Sequence, residues 1–186
     1  KSTTLNAVAG MFPVDSGRIE IDGVDVTALP EHKRAKYIGR VFQDPRLGTA
    51  PNMTIEENLA MAYRRGQNRG LRKGVTAEER KLFRELLTSL DLGLENRMGT
   101  RAGLLSGGQR QALTLLMATM THPKLLLLDE HTAALDPKTA KKVLELTEKF
   151  ITEDKLTVLM ITHNMRDALR YGNRIMMMHE GRVLLD

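Results

Sequence analysis

The chain has 186 residues, no cysteine and 41% hydrophobic residues, which fits one domain with its own core and excludes a disulfide framework or a thiolate metal site. Its formal charge of +5 suits nucleic acid, an anionic membrane face or a nucleotide site framed by lysine and arginine. With 4% aromatic residues and no tryptophan it does not suit a single-strand platform of stacked rings, and no apolar run approaches the roughly 18 residues that a membrane-spanning helix needs.

Lys1-Ser2-Thr3-Thr4 opens a segment expected to be helical to about Met11. A phosphate loop of the form G-x-x-x-x-G-K-[ST] has its glycines upstream of the lysine, and nothing stands upstream of Lys1, so the sequence reads as cut within such a loop. Between Gly17 and Thr27 the alternation around Asp22-Gly23 predicts a hairpin. A short helix near Glu31 to Lys36 leads into a strand from Ile38 to Phe42, with Gln43 at its carboxyl end and a segment rich in Pro and Gly from Asp44 to Met53.

Residues from about Met53 to Leu104 read as helical. Thr54-Ile55-Glu56-Glu57 and Thr76-Ala77-Glu78-Glu79 each fit a capping box, in which the threonine accepts from a backbone N–H and the glutamate three positions on reaches back. Leu82, Phe83, Leu86, Leu87 and Leu90 form an apolar stripe. Between the two helices, Arg64, Arg65, Arg69, Arg72 and Lys73 predict an exposed loop, a solvated face in preference to a contact with lipid headgroups or a partner.

At Ser106-Gly107-Gly108-Gln109 a serine and two glycines precede a helix whose apolar face carries Leu113, Leu116, Met117 and Met120. Unpaired N–H groups, the helix dipole and the close approach that glycine permits make this an anion site in outline. The uninterrupted run Leu125 to Leu128 predicts a parallel strand covered on both faces, and it ends in Asp129 and Glu130. Ligands of open α/β sheets sit off the carboxyl ends of the strands, so this pair is placed to hold Mg²⁺ and to take a proton from water. Strand alternation puts the two carboxylates on opposite faces, with the metal falling to Asp129 and the proton to Glu130.

Asp136-Pro137 reads as N-cap and first residue of a helix to about Thr152. Leu156 to Ile161 is a β-branched, apolar strand with His163 just past its end, followed by Asn164 as a helix cap. Arg174 to Met178 and Arg182 to Leu185 predict two strands joined across Glu180-Gly181, their methionines in the core.

The LSGGQ at Leu105 to Gln109, followed by an apolar strand ending in Asp-Glu, resembles the ATP-binding subunit of an ABC transporter, and the likeness runs along the whole chain. It implies an α/β P-loop NTPase fold, a mostly parallel sheet flanked by helices, with a core of 1–48 and 121–186 and a helical subdomain of 49–120 inserted through the hinge after Gln43. It implies ATP and Mg²⁺ as ligands. Lys1 would then neutralise the β/γ-phosphates, Thr3 would touch the α-phosphate, and Ser2, Gln43 and Asp129 would serve the metal. Glu130 would be the catalytic base, Gln43 would also reach the attacking water, and His163 would attend the γ-phosphate. Ser106, Gly107, Gly108 and Gln109 would bind nucleotide, and Asp136 would contact the opposite subunit's site.

The partners so implied are a second copy of the subunit, a transmembrane permease and an extracellular solute-binding protein, with the ATPase on the cytoplasmic face of a bacterial membrane and nucleic acid not involved. Two positions depart from the family's wording: His131 stands where proline is common, and Ala112 where a second arginine commonly follows the glutamine. The rival reading is a soluble ABC-type ATPase acting on nucleic acid or ribosomes, which the basic charge favours. Such proteins carry tandem domains or long insertions, whereas the insert between Gln43 and Ser106 here is of ordinary transporter size. A regulatory module without hydrolysis is disfavoured by the presence of Gln43, Asp129, Glu130 and His163.

Overall fold

A computed structural model describes residues 1–67 and 74–185. Three parallel strands, β3 (Ile38–Val41), β4 (Leu125–Asp129) and β5 (Thr157–Ile161), form the central sheet in the order β3-β4-β5. Alternation along β4 builds a core on each face. Leu126 and Leu128 join one cluster with α3 (Ile55–Tyr63), α4 (Ala77–Thr88), α5 (Gly107–Thr119) and α6 (Pro137–Asp154). Leu127 joins the other with Leu5 and Ala9 of α1 (Ser2–Ala9) and with Ile21 of the hairpin β1 (Glu20–Ile21) and β2 (Val24–Asp25). The all-leucine run is therefore explained by burial on both sides.

Local chemistry sets most boundaries. Asp22 and Gly23 both take positive φ (52° and 76°), as a two-residue hairpin turn requires. Both predicted capping boxes form, at Thr54 with Glu57 and at Thr76 with Glu79. The short α2 (Glu31–Arg34) ends in the fully buried Arg34, whose guanidinium donates to the carbonyls of Ala7 and Val8 at the end of α1 and to those of Thr27 and Leu29. One buried cation thus ties the end of α1 to the loop before α2, adding a donor to the Val8 carbonyl and a second one to the Ala7 carbonyl, which the Gly10 N–H also reaches. Gly39 of β3 lets α5 come close, since a Cβ there would lie 2.4 Å from the Ala118 carbonyl oxygen.

Three expectations are corrected. The stripe read for α5 understates its burial: Gln111, Ala112, Leu113, Thr114, Leu115, Leu116, Ala118 and Thr119 are all buried, because the helix is packed against β3, α3, α4 and α6 at once. Arg64 and Arg65 are half-buried and paired. Arg64 pairs with Glu79 at 2.6 Å, and Arg65 donates to the Met117 and Ala118 carbonyls that close α5; Arg69, Arg72 and Lys73 lie outside the described residues. The methionines of the last hairpin, β6 (Met177–His179) and β7 (Arg182–Leu185), are not core, for Met176 and Met177 are exposed. Among the described residues that hairpin pairs only with itself and does not join the parallel sheet; Met178 is half-buried with its sulfur 4.0 Å from Thr4 Oγ1, but no hairpin residue belongs to a core cluster.

Candidate functional site

The register of the sheet brings the carboxyl ends of its strands to one edge, with Val41 beside Leu128 and Asp129 beside Ile161. Gln43, Asp129, Glu130 and His163 therefore leave the sheet together, on the side where helix α1 begins. Ser2 Oγ donates to Asp129 Oδ1 at 3.0 Å. Lys1 is the exposed N-cap of α1, its carbonyl accepting from Thr4 and Leu5, and Thr3 is exposed two residues on. Gln43 is exposed just beyond β3.

The two acidic neighbours meet different partners. Glu130 does not continue the strand; its φ of 46° turns the chain away while its N–H donates to the Ile161 carbonyl at 3.0 Å. Its carboxylate, 16% exposed, then accepts from His163 Nε2 at 2.6 Å. Asp129 faces Ser2 and Glu130 faces His163. One side holds oxygen atoms of the kind a hard cation takes, and the other a carboxylate hydrogen-bonded to an imidazole, a pair of groups able to exchange a proton.

Ser106, Gly107, Gly108 and Gln109 assemble elsewhere. Ser106 and Gln109 form a third capping box, each side chain 3.2 Å from the other's backbone N–H; the serine hydroxyl accepts in it and keeps its own proton to donate. A Cβ on Gly108 would lie 2.0 Å from Thr139 Cγ2, and one on Gly107 would lie 3.6 Å from Leu135 Cδ2, so the start of α5 rests on the start of α6. Asp136 caps α6 by accepting from Thr139 N at 3.1 Å, and that bonding holds its carboxyl below the usual carboxylate range. Among the described residues, no hydrogen bond or ion pair joins this group to Ser2, Asp129, Glu130 or His163.

Three residues escaped the sequence reading. Arg40 stacks on Phe42 at 4.5 Å and donates to the Asn6 side chain, bracing α1 against β3. Burial pushes its guanidinium below the ordinary value, which the Asp129 charge opposes; an arginine inside the apolar run I-G-R-V-F was the available signal. Gln111, fully buried on α5, donates to the Phe42 carbonyl at 3.1 Å and so fastens the α5 helix to the residue before Gln43. His131, read only as a departure, is buried against Thr147 of α6 at 3.1 Å, and burial pushes it down to about 4.

Comparison with known proteins places these groups in a family context. The family model described as ABC transporter matches residues 1–133. A tyrosine transport ATP-binding protein of Clostridioides difficile (strain R20291) is 47% identical over 186 residues, covering all of this chain and 74% of that protein. The thiamine import ATP-binding protein ThiQ of Escherichia coli (strain K12) is 33% identical over 183 residues, 98% of this chain and 74% of its own. The spermidine/putrescine import ATP-binding protein PotA of Shigella flexneri serotype 5b (strain 8401) is 36% identical over 186 residues, all of this chain and 46% of its own. Among solved structures, the dimeric post-hydrolysis state of the ATP-binding cassette MJ0796 bound to ADP and Pi superposes with a TM-score of 0.81 at 32% identity, over 99% of this chain and 78% of that one.

Proposed function

The chain belongs to the ABC transporter family as an ATP-binding transport ATPase, and we propose that it powers solute import as one half of an ATPase dimer seated on a membrane permease. The observation that carries this reading is the pairing of Ser2 with Asp129 beside that of Glu130 with His163, at the strand ends where α1 begins. Oxygen donors on Ser2 and Asp129, with Gln43 close by in the sequence of the sheet edge, fit Mg²⁺, which prefers a few protein oxygens together with phosphate. When bound, Mg²⁺ neutralises the charge of the phosphates it touches.

In this reading Lys1 and Thr3 hold phosphate, Glu130 takes the proton of the attacking water, and His163 orients Glu130 and senses the γ-phosphate. Ser106, Gly107, Gly108, Gln109 and Asp136 form a separate anion-binding group. Its separation from the first group supports a second copy that lends it across the interface, and the MJ0796 relative is described as dimeric. Residues 1–48 and 121–186 serve as the nucleotide-binding core and 49–120 as the helical subdomain.

The permease contact falls in the groove of about 390 Å³ between β3, α3 and α5. Leu47 and Met61 are exposed on it, with Glu31, Arg40 and Arg65 also in its wall, so a largely apolar helix complements it. The subunit then lies at the cytoplasmic face; no described helix is long and apolar enough to cross a membrane. The names of the relatives make an amino acid the first solute class to test, delivered by an extracellular solute-binding protein.

Glu130→Gln tests the reading directly. It keeps shape and hydrogen bonding but removes the proton acceptor, so ATP still binds, phosphate release falls by about 10² to 10⁴, and a dimer accumulates on size-exclusion chromatography in Mg-ATP. Normal turnover, or failure to bind ATP, removes Glu130 from this role.

A further inference from the structure

His131 follows Glu130 directly, and its imidazole is only 2% exposed. Thr147 has one hydroxyl proton and uses it on the Val143 carbonyl at 2.8 Å, one helical turn back. The same oxygen, 3.1 Å from His131 Nε2, therefore accepts from the ring, which fixes the tautomer with its proton on Nε2.

Glu130 needs holding. Its φ of 46° lies in a region that side chains other than glycine seldom adopt. A proline at 131 would drive Glu130 towards extended backbone; histidine lifts that restriction but brings no ring stiffness of its own. Two contacts close the turn from one side, Glu130 N to the Ile161 carbonyl at 3.0 Å and Ala133 N to the Glu130 carbonyl at 2.9 Å. The imidazole fastens it on the other side, to α6.

We propose that the His131–Thr147 hydrogen bond is a positioning contact that holds Glu130 in its left-handed turn and ties the carboxylate to α6. The proposal rests on the reading of Glu130 as the base. Ala140 and Leu144 of α6 line, with Glu130, His131 and His163, one cavity of about 270 Å³, so a displaced helix alters the space in front of the carboxylate. The first turn of α6 also bears on the α5 helix start through Thr139 and Gly108. Packed groups on α6 thus link the anion-binding group at Ser106, through Thr139, to the base, through Thr147 and His131.

The test compares Thr147→Val, Thr147→Ser, His131→Gln and His131→Leu for kcat, KM and ATP binding. Thr147→Val keeps the volume and removes the acceptor; kcat falls by about tenfold to a hundredfold, the cost of a misplaced catalytic group, while KM and ATP affinity hold. Thr147→Ser, which keeps the hydroxyl, recovers turnover. Wild-type kcat in Thr147→Val, or equal loss in Thr147→Ser, overturns the proposal. Should Thr147→Val fail to fold, the His131 pair reads the same contrast: Gln retains a donor and much of the turnover, Leu loses it, and equal turnover in the two overturns it. Glu130→Gln separates the two claims. If it is inactive while Thr147→Val is normal, only the anchor fails; if it turns over normally, Glu130 itself fails as base.

Discussion

Ser2 Oγ donates to Asp129 Oδ1 at 3.0 Å, joining the first turn of α1 to the end of β4 across 127 positions of sequence. The two oxygens are hydrogen-bonded neighbours, so on the proposed reading each substitution damages the same binding event. Ser2→Ala and Asp129→Asn are each expected to weaken Mg²⁺-dependent ATP binding while leaving metal-free binding less affected. Because the groups touch, the double variant falls short of the sum by about 0.5 to 3 kcal/mol. Calorimetric titration with Mg²⁺ and with EDTA measures it, and strict additivity would show that the two act apart.

Gln111 fastens α5 to the Phe42 carbonyl, and its own Oε1 is buried without a partner. Gln111→Leu removes that orphan but strands the carbonyl, a net cost of about 1 to 3 kcal/mol, and it frees the loop bearing Gln43. Lower phosphate release with retained ATP binding is expected, alongside a lower urea midpoint. Unchanged turnover in a destabilised protein would confine Gln111 to packing.

Elements written in neighbouring residues were legible. Thr54 and Thr76 announce helices because a capping box needs only four consecutive positions, and Asp22-Gly23 announces a hairpin for the same reason. Leu125 to Leu128 reads as a buried strand because both faces of β4 are covered. The box at Ser106 and Gln109 has the same spacing, but its two glycines draw attention to anions before capping. What stayed hidden depends on partners far along the chain. Gln111 meets Phe42 69 positions away, Arg64 meets Glu79, and the exposed Met176 and Met177 sit in a hairpin whose isolation from the sheet no local pattern records. Strand alternation does not reach Glu130, because β4 ends at Asp129 and a positive φ turns the chain there.

Gly108 has a steric reason independent of any phosphate. Its missing Cβ would sit 2.0 Å from Thr139 Cγ2 but 3.4 Å from Thr139 Cβ and 3.7 Å from Oγ1. Gly108→Ala is expected to cost about 1 to 3 kcal/mol through overpacking. Thr139→Ser removes the clashing methyl and keeps the backbone N–H that Asp136 caps, so Gly108→Ala with Thr139→Ser recovers most of the loss. A double-mutant cycle by chemical denaturation reads the coupling, and no recovery would place the strain in the α5 backbone instead. If turnover stays low in the stable double variant, Gly108 has its second role at the nucleotide.

His131 gives the fold a dependence on pH whose sign is fixed by burial. Desolvation pushes the ring from its ordinary value of 6.5 down to about 4, so the folded protein resists a proton that the unfolded chain accepts. Above about pH 6.5 the ring is neutral in both states and contributes no slope. As pH falls through the window from 6.5 to 4, protonation favours the unfolded chain and stability declines, by about 3 kcal/mol over the full window at roughly 1.36 kcal/mol per unit. Other groups titrate in the same range, so the measurement is a difference. Urea denaturation of the wild type and His131→Gln is followed from pH 7.5 to 4. The glutamine variant keeps a donor for Thr147 but has no titrating ring, and the wild type's advantage should shrink steadily below pH 6.5 and level off near 4. Parallel curves across the window would mean that the imidazole takes up its proton inside the fold at its ordinary value, so that burial against α6 does not hold it neutral.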